Sequence, residues 1–202
     1  LQAGLALVPG LAAMVVSGLV VVPIASRVSP RVVIPVALVF SAAGYVMVAA
    51  WAGRADAAGL ILAFVSLGLG IGAAETVSNE LVLASAPPAK AGAASAVSET
   101  AYEIGSVLGT SVLGGILTAA YRAQLVLPAG LDQAAASASR ETLGGAYAVA
   151  GSLPDAVATA VRDAASAAFD SGAAVTSLIG AGLVLLAAAI AATTLGGSRT
   201  AS

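Results

Sequence analysis

The twenty residues Val32-Val-Ile-Pro-Val-Ala-Leu-Val-Phe-Ser-Ala-Ala-Gly-Tyr-Val-Met-Val-Ala-Ala-Trp51 contain no charged side chain and end on the single tryptophan of the chain. A helix of about twenty predominantly apolar residues crosses the ~30 Å hydrocarbon layer of a bilayer. Four further stretches pass the same test: 4–25, 59–86, 91–121 and 172–195. The interiors of 4–25, 32–51 and 172–195 hold no charge, which disfavours a soluble Ala-rich bundle. The two stretches 59–86 and 91–121 are longer than a crossing needs and are expected to tilt or to project past the hydrocarbon. The expected fold is therefore an all-α membrane bundle with five spans.

Composition narrows the function. Of 202 residues, 59% are hydrophobic and 9% charged, and eight Lys and Arg against ten Asp and Glu leave a net charge of −2. A chain so poor in basic residues offers no surface for nucleic acid. The absence of Cys and His removes disulfides, thiolate nucleophiles and the usual zinc and haem ligands. No nucleotide loop is legible, so an enzyme is not expected and no cofactor is called for. Leu1 opens inside a membrane-like run with no initiator Met and no basic leader, so the chain is expected to be a piece lacking its N-terminal part.

Basic residues near span ends stay on the cytoplasmic side. Arg27, Arg31, Lys90 and Arg199 all fall at one end of the bundle, whereas Arg54, Arg122, Arg140 and Arg162 fall at the other. Arg140 and Arg162 sit in a long loop, where the rule counts little, so the first group is placed in the cytoplasm. Trp51 and Tyr121 then lie at the outer headgroup level, which their amphipathic rings favour. This divides the chain into four spans over 1–121, an extracellular Ala-rich loop over 122–171, and a last span with a cytoplasmic tail over 172–202. In the loop, Gly151-Ser-Leu-Pro154 breaks a helix-favouring composition. A helical hairpin is expected, with arms over 131–150 and 154–169 and weak apolar faces at Leu143, Tyr147, Val157, Val161 and Phe169. The competing reading is a disordered Ala-rich linker.

Four carboxylates lie within the spans: Glu75 and Glu80 in the third, Glu99 and Glu103 in the fourth. An ionised group near the centre of a span costs ~2.5–3.5 kcal/mol to insert, so such groups usually face a bundle interior or a water-filled cavity. Glu99 and Glu103 are four apart and share a helix face, with Tyr102 beside them. Carboxylates gathered away from water resist simultaneous ionisation, so a proton and a cation compete for such a pair. An adjacent aromatic ring adds attraction for an organic cation. The plainer readings are hydration near the interface for Glu99 and Glu80, and a structural or partner-satisfying role for Glu75. Gly105, Gly109, Gly114 and Gly115 continue the fourth span, and small residues at this spacing point to close helix packing. Pro9, Gly10, Gly18 and Pro23 predict a bent first span.

The block from Pro87-Pro-Ala-Lys-Ala-Gly92 through Ser98-Glu-Thr-Ala-Tyr-Glu103 to Gly109, closed by Tyr121-Arg122, resembles the penultimate span of the fourteen-span drug:proton antiporters of the major facilitator superfamily, the QacA/SmvA type. In that group the loop reads like Pro-x-x-Lys/Arg-Ala-Gly and the next helix carries two acids, at the positions of Glu99 and Glu103. Glu80 falls where some relatives carry an acid near the end of the preceding span. Ser26-Arg-Val-Ser-Pro-Arg31 is similar to the family's Asp-Arg-x-Gly-x-Arg loop, with Ser26 in place of the Asp and Ser29 in place of the Gly. Some relatives carry two consecutive acids where this chain has Ser98 before Glu99. The resemblance covers essentially the whole chain and implies the C-terminal helical bundle of such a transporter, with an extracellular hairpin.

It further implies export of lipophilic organic cations across the cytoplasmic membrane, driven by the proton gradient. Glu99, Glu103, Tyr102 and Glu80 are the implied proton- and substrate-binding residues. The implied partners are a cationic or lipophilic small molecule, protons, membrane lipid and the missing N-terminal half. Two rivals remain at this level: the same fold exporting an endogenous metabolite or antibiotic, and a non-transporting membrane scaffold whose acids pair with basic residues elsewhere.

Overall fold

The computed structural model describes residues 2–54 and 56–195; Arg199, used above for orientation, and the rest of the expected tail to residue 202 lie outside the described residues. The helices are α1 (Gln2–Ala25), α2 (Pro30–Trp51), α3 (Ala57–Ala84), α4 (Ala91–Gln124), α5 (Gln133–Glu141), α6 (Leu143–Ala150) and α7 (Asp155–Thr194), with a single 3-10 turn over Pro88–Lys90. Among the described residues there is no strand. Five of these helices are long and apolar enough to cross a membrane: α1, α2, α3, α4 and α7. The expected all-α bundle of five spans is therefore what the chain forms.

Local chemistry sets the ends. Pro30 opens α2 at a position where a missing N–H costs nothing. Asp56 caps α3 by accepting from the Ala58 amide at 3.0 Å. Asp132 caps α5 by accepting from the Ala135 amide at 2.6 Å. α1 runs through both Pro9 and Pro23 as one helix.

α3 is the centre of one layer, flanked by α1 and α2. Its Gly68-Leu-Gly-Ile-Gly72 run makes this possible. A Cβ on Gly68 would strike the Gly10 carbonyl, one on Gly72 the Met14 carbonyl, and one on Gly70 the Ser41 hydroxyl and Ala37 carbonyl. Backbone thus lies on backbone along both flanks, the device that replaces the hydrophobic effect where lipid is the solvent. The close packing expected at Gly105, Gly109, Gly114 and Gly115 of α4 falls on α3 instead. Apart from the adjoining turns of α4 itself, no described atom lies within 4 Å of a Cβ built on any of those four glycines. Val21, Val33, Ile34 and Val77 close the end of this layer where α1 meets α2, with Ala191 and Leu195 of α7 against them.

α2 also packs on α7, and α7 on α4. α4 and α7 have 34 and 40 residues, so both outreach the hydrocarbon by several turns. The overhang holds the loop. Ala146, Ala150, Ala158, Val161, Ala165 and Ala168 join Tyr121 and Leu125 in a second core, with Leu143, Leu153 and Phe169 against it.

Two boundaries differ from the sequence expectation. The 131–150 arm is two helices, because Thr142 is extended (φ −151°, ψ 158°) and its hydroxyl caps α6 by accepting from the Gly145 amide at 2.9 Å. The 154–169 arm and the last span are one helix. Between Asp155 and Ser171 there is neither Gly nor Pro to stop it, and Gly172 serves as the close-approach point to Leu117 and Ala120 of α4.

Tyr121, 3% exposed, ties the hairpin to α4 by donating to the Ser139 carbonyl at 2.7 Å. Arg122 donates to the Arg140 carbonyl, and Arg140 in turn to the Leu125 carbonyl, each at 3.3 Å. Tyr121→Phe removes one buried bond and should cost about 1 kcal/mol. Faster amide hydrogen exchange over 133–150, with α1 to α3 unchanged, is the expected readout; unchanged exchange there would assign the clasp to packing alone.

Candidate functional site: a cleft beside α4

α4 leans on α7 and barely touches α3. Among the described residues a polar bond bridges α3 and α4: Ser98 Oγ donates to Asn79 Oδ1 at 2.6 Å. The wedge left between α2, α3, α4 and α7 holds a cleft of about 350 Å³. Tyr45 of α2, Glu75, Ser78 and Asn79 of α3, and Ser98 and Tyr102 of α4 line it, with apolar side chains completing the wall. Glu75, Ser78 and Asn79 are at i, i+3 and i+4 and so form one polar stripe on a largely apolar helix.

The structure distributes the four sequence-derived residues unequally. Tyr102 lines the cleft while 55% exposed. Glu99 and Glu103 sit one step round α4 from Ser98 and Tyr102, exposed and outside the cleft lining. Among the described residues neither carboxylate meets a hydrogen-bond or ionic partner. Counted along the helix, Glu103 lies about 18 Å from the start of α4, deeper than Glu99. Glu80 is exposed near the C-terminal end of α3 and does not reach the cleft. Only Tyr102 of the four thus enters it.

Glu75 takes the position that sequence reasoning passed over. It is half-buried, lines the cleft with Tyr45 and Tyr102, and has no polar partner among the described residues. Its signal in the sequence was the Glu75/Ser78/Asn79 spacing, which marks a polar face that a purely structural acid would not need. Nearly all of α4 from Ala91 to Ala120 is exposed or half-exposed, and its flank Ala96, Val97, Thr100, Ala101 and Ile104 borders a shallow apolar recess. Among the described residues no group of three or more carboxylates is gathered that would hold a metal ion.

No family model matches the chain. It is 50% identical over 190 residues to the multidrug efflux pump LfrA of Mycolicibacterium smegmatis, a match that covers 94% of this chain and 38% of that pump. The chain is a homologue of drug efflux pumps. It is also 37% identical over 103 residues to the methyl viologen resistance protein SmvA of Salmonella typhimurium, covering 51% of this chain and 21% of that protein. The resemblance to major facilitator drug exporters read from Pro87 to Arg122 is thereby borne out, and the efflux-pump homologue is a multi-pass cell-membrane protein. The chain spans less than half the length of these curated relatives.

Proposed function

We propose that this chain is the C-terminal membrane portion of a proton-coupled multidrug exporter that extrudes lipophilic organic cations across the cytoplasmic membrane. The observation that carries this reading is α4, a membrane-length helix with two carboxylates on a face that no other described element covers. Ionisable groups at that depth are tolerated where they meet an aqueous pathway or a counter-charge. In this reading the pathway runs between this bundle and the N-terminal half, because alternating access requires two halves rocking about a midplane site.

Glu103 and Glu99 alternately hold protons and the cargo's positive charge. Tyr102, on the same helix and in the cleft, offers its ring to the cargo, and Glu80 assists at the cytoplasmic end. The proton gradient is the energy source, and no cofactor takes part. The name of one relative supports a cationic cargo, since methyl viologen is an organic dication. The membrane lipid and the rest of the transporter are the partners that the exposed apolar side chains, Leu19, Val107 and Leu186 among them, would meet.

Ethidium efflux from cells carrying the full-length exporter tests this. Efflux that stops when a protonophore collapses the gradient supports the reading. Efflux that continues unchanged would reject proton coupling, and the absence of efflux across a panel of organic cations would point to the metabolite cargo or the scaffold.

A further inference from the structure

We infer that Glu75 is the residue against which the cargo's positive charge comes to rest, between the rings of Tyr45 and Tyr102. The inference rests on the exporter reading above and adds a binding site to it, distinct from the Glu99/Glu103 face. Three observations converge on it. Glu75 lies about 14 Å from the C-terminal end of α3, within the stretch long and apolar enough to cross a membrane. It lines a cleft of about 350 Å³, within the range of small-molecule pockets, ~300–1,000 Å³. And no lining side chain neutralises it.

The groups facing Glu75 can be named by element. α2 contributes Tyr45 and the Ser41 hydroxyl, which is itself directed to the Ala37 carbonyl at 3.5 Å. α3 contributes Ser78 and Asn79, and α4 contributes Ser98 and Tyr102, with Ser98 and Asn79 already bonded to each other. α7 contributes Val184 and no polar atom. No Lys or Arg lines the cleft. A single carboxylate that shares a cleft with two phenol rings is matched by a flat, delocalised organic cation, whose charge is attracted by carboxylate and ring faces alike. An uncharged cargo gains nothing from Glu75, so the site selects by charge.

Position keeps the two sites apart: Glu99 and Glu103 stand open on the flank of α4, while Glu75 sits inside the wedge. Ser98 and Tyr102 of α4 connect the two, since each lines the cleft and neighbours one of the paired carboxylates in the chain, Glu99 and Glu103 respectively.

The test is ethidium binding, followed by fluorescence, to the purified full-length exporter at fixed pH. Glu75→Gln should weaken binding by about tenfold or more, and Glu75→Asp, which keeps the charge, should restore most of it. In the wild-type protein, carbodiimide should modify Glu75, and saturating ethidium should protect it, as read by peptide mass spectrometry. That second measurement stands even if Glu75→Gln does not fold. Binding to Glu75→Gln within twofold of wild type, or carbodiimide modification of Glu75 untouched by ethidium, would overturn the assignment and leave the exporter reading intact. A wild-type protein that binds no organic cation would overturn both.

Discussion

Replacing Glu103 by Gln in the full-length exporter should lower gradient-driven ethidium efflux by about tenfold or more at matched expression. The substitution keeps the shape of the side chain and removes the charge and the exchangeable proton. Its structural cost should be small, because Glu103 is exposed and has no partner among the described residues, so no buried group is orphaned by the change. Loss of efflux with normal expression and extraction would therefore report on transport and not on folding. The depth ordering predicts a gradient of effect along the chain. Glu99→Gln, nearer the start of α4, should impair efflux less, and Glu80→Gln, outside the cleft and near the end of α3, least. Equal efflux by Glu103→Gln and wild type would make Glu103 a hydrated bystander and move the coupling site out of α4.

The largest structural effect should come from α3. Gly72→Leu drives a side chain into the backbone carbonyl of Met14, and Gly68→Leu into that of Gly10. Neither obstacle is a flexible side-chain tip that could swing aside, so α1 must separate from α3 along its length. Overpacking a well-filled core costs ~1–3 kcal/mol where neighbours relax, and a backbone contact has less room to relax than that. Each substitution should abolish recovery of monodisperse protein from detergent extraction. Gly182→Ala is the control: nothing lies within 4 Å of its Cβ, and Ala is the better helix former. Its thermal midpoint should equal or exceed that of the parent. Normal recovery of Gly72→Leu would mean that α1 and α3 do not pack as described.

Much of this architecture is readable in the chain because the bilayer imposes so strong a rule. Uninterrupted apolar runs such as 32–51 have few folded alternatives to a spanning helix, and the Gly151 to Pro154 turn announces the hairpin. What is not readable follows from contacts that local pattern does not encode. Gly172 looks like a boundary by propensity, yet α4 needs it as a contact point inside a continuous α7. Thr142 looks like one more residue of an Ala-rich arm, yet its extended backbone and capping hydroxyl start a new helix. Gly68 and Gly72 of α3 are four apart, as are Gly105 and Gly109 of α4, and only the packing tells the two pairs apart. Much the same holds for the acids. Glu99 and Glu103 are conspicuous as a pair on one helix, whereas Glu75 gains its meaning only when α2 and α4 bring Tyr45 and Tyr102 to it.

The central claim is that organic cation moves outward in exchange for protons, and proteoliposomes holding the purified full-length exporter test it most directly. With a pH-sensitive dye inside, ethidium added to the cargo-binding side should drive proton movement in the opposite direction, and Glu103→Gln should abolish that movement. Ethidium transport without any accompanying change in internal pH would contradict the account.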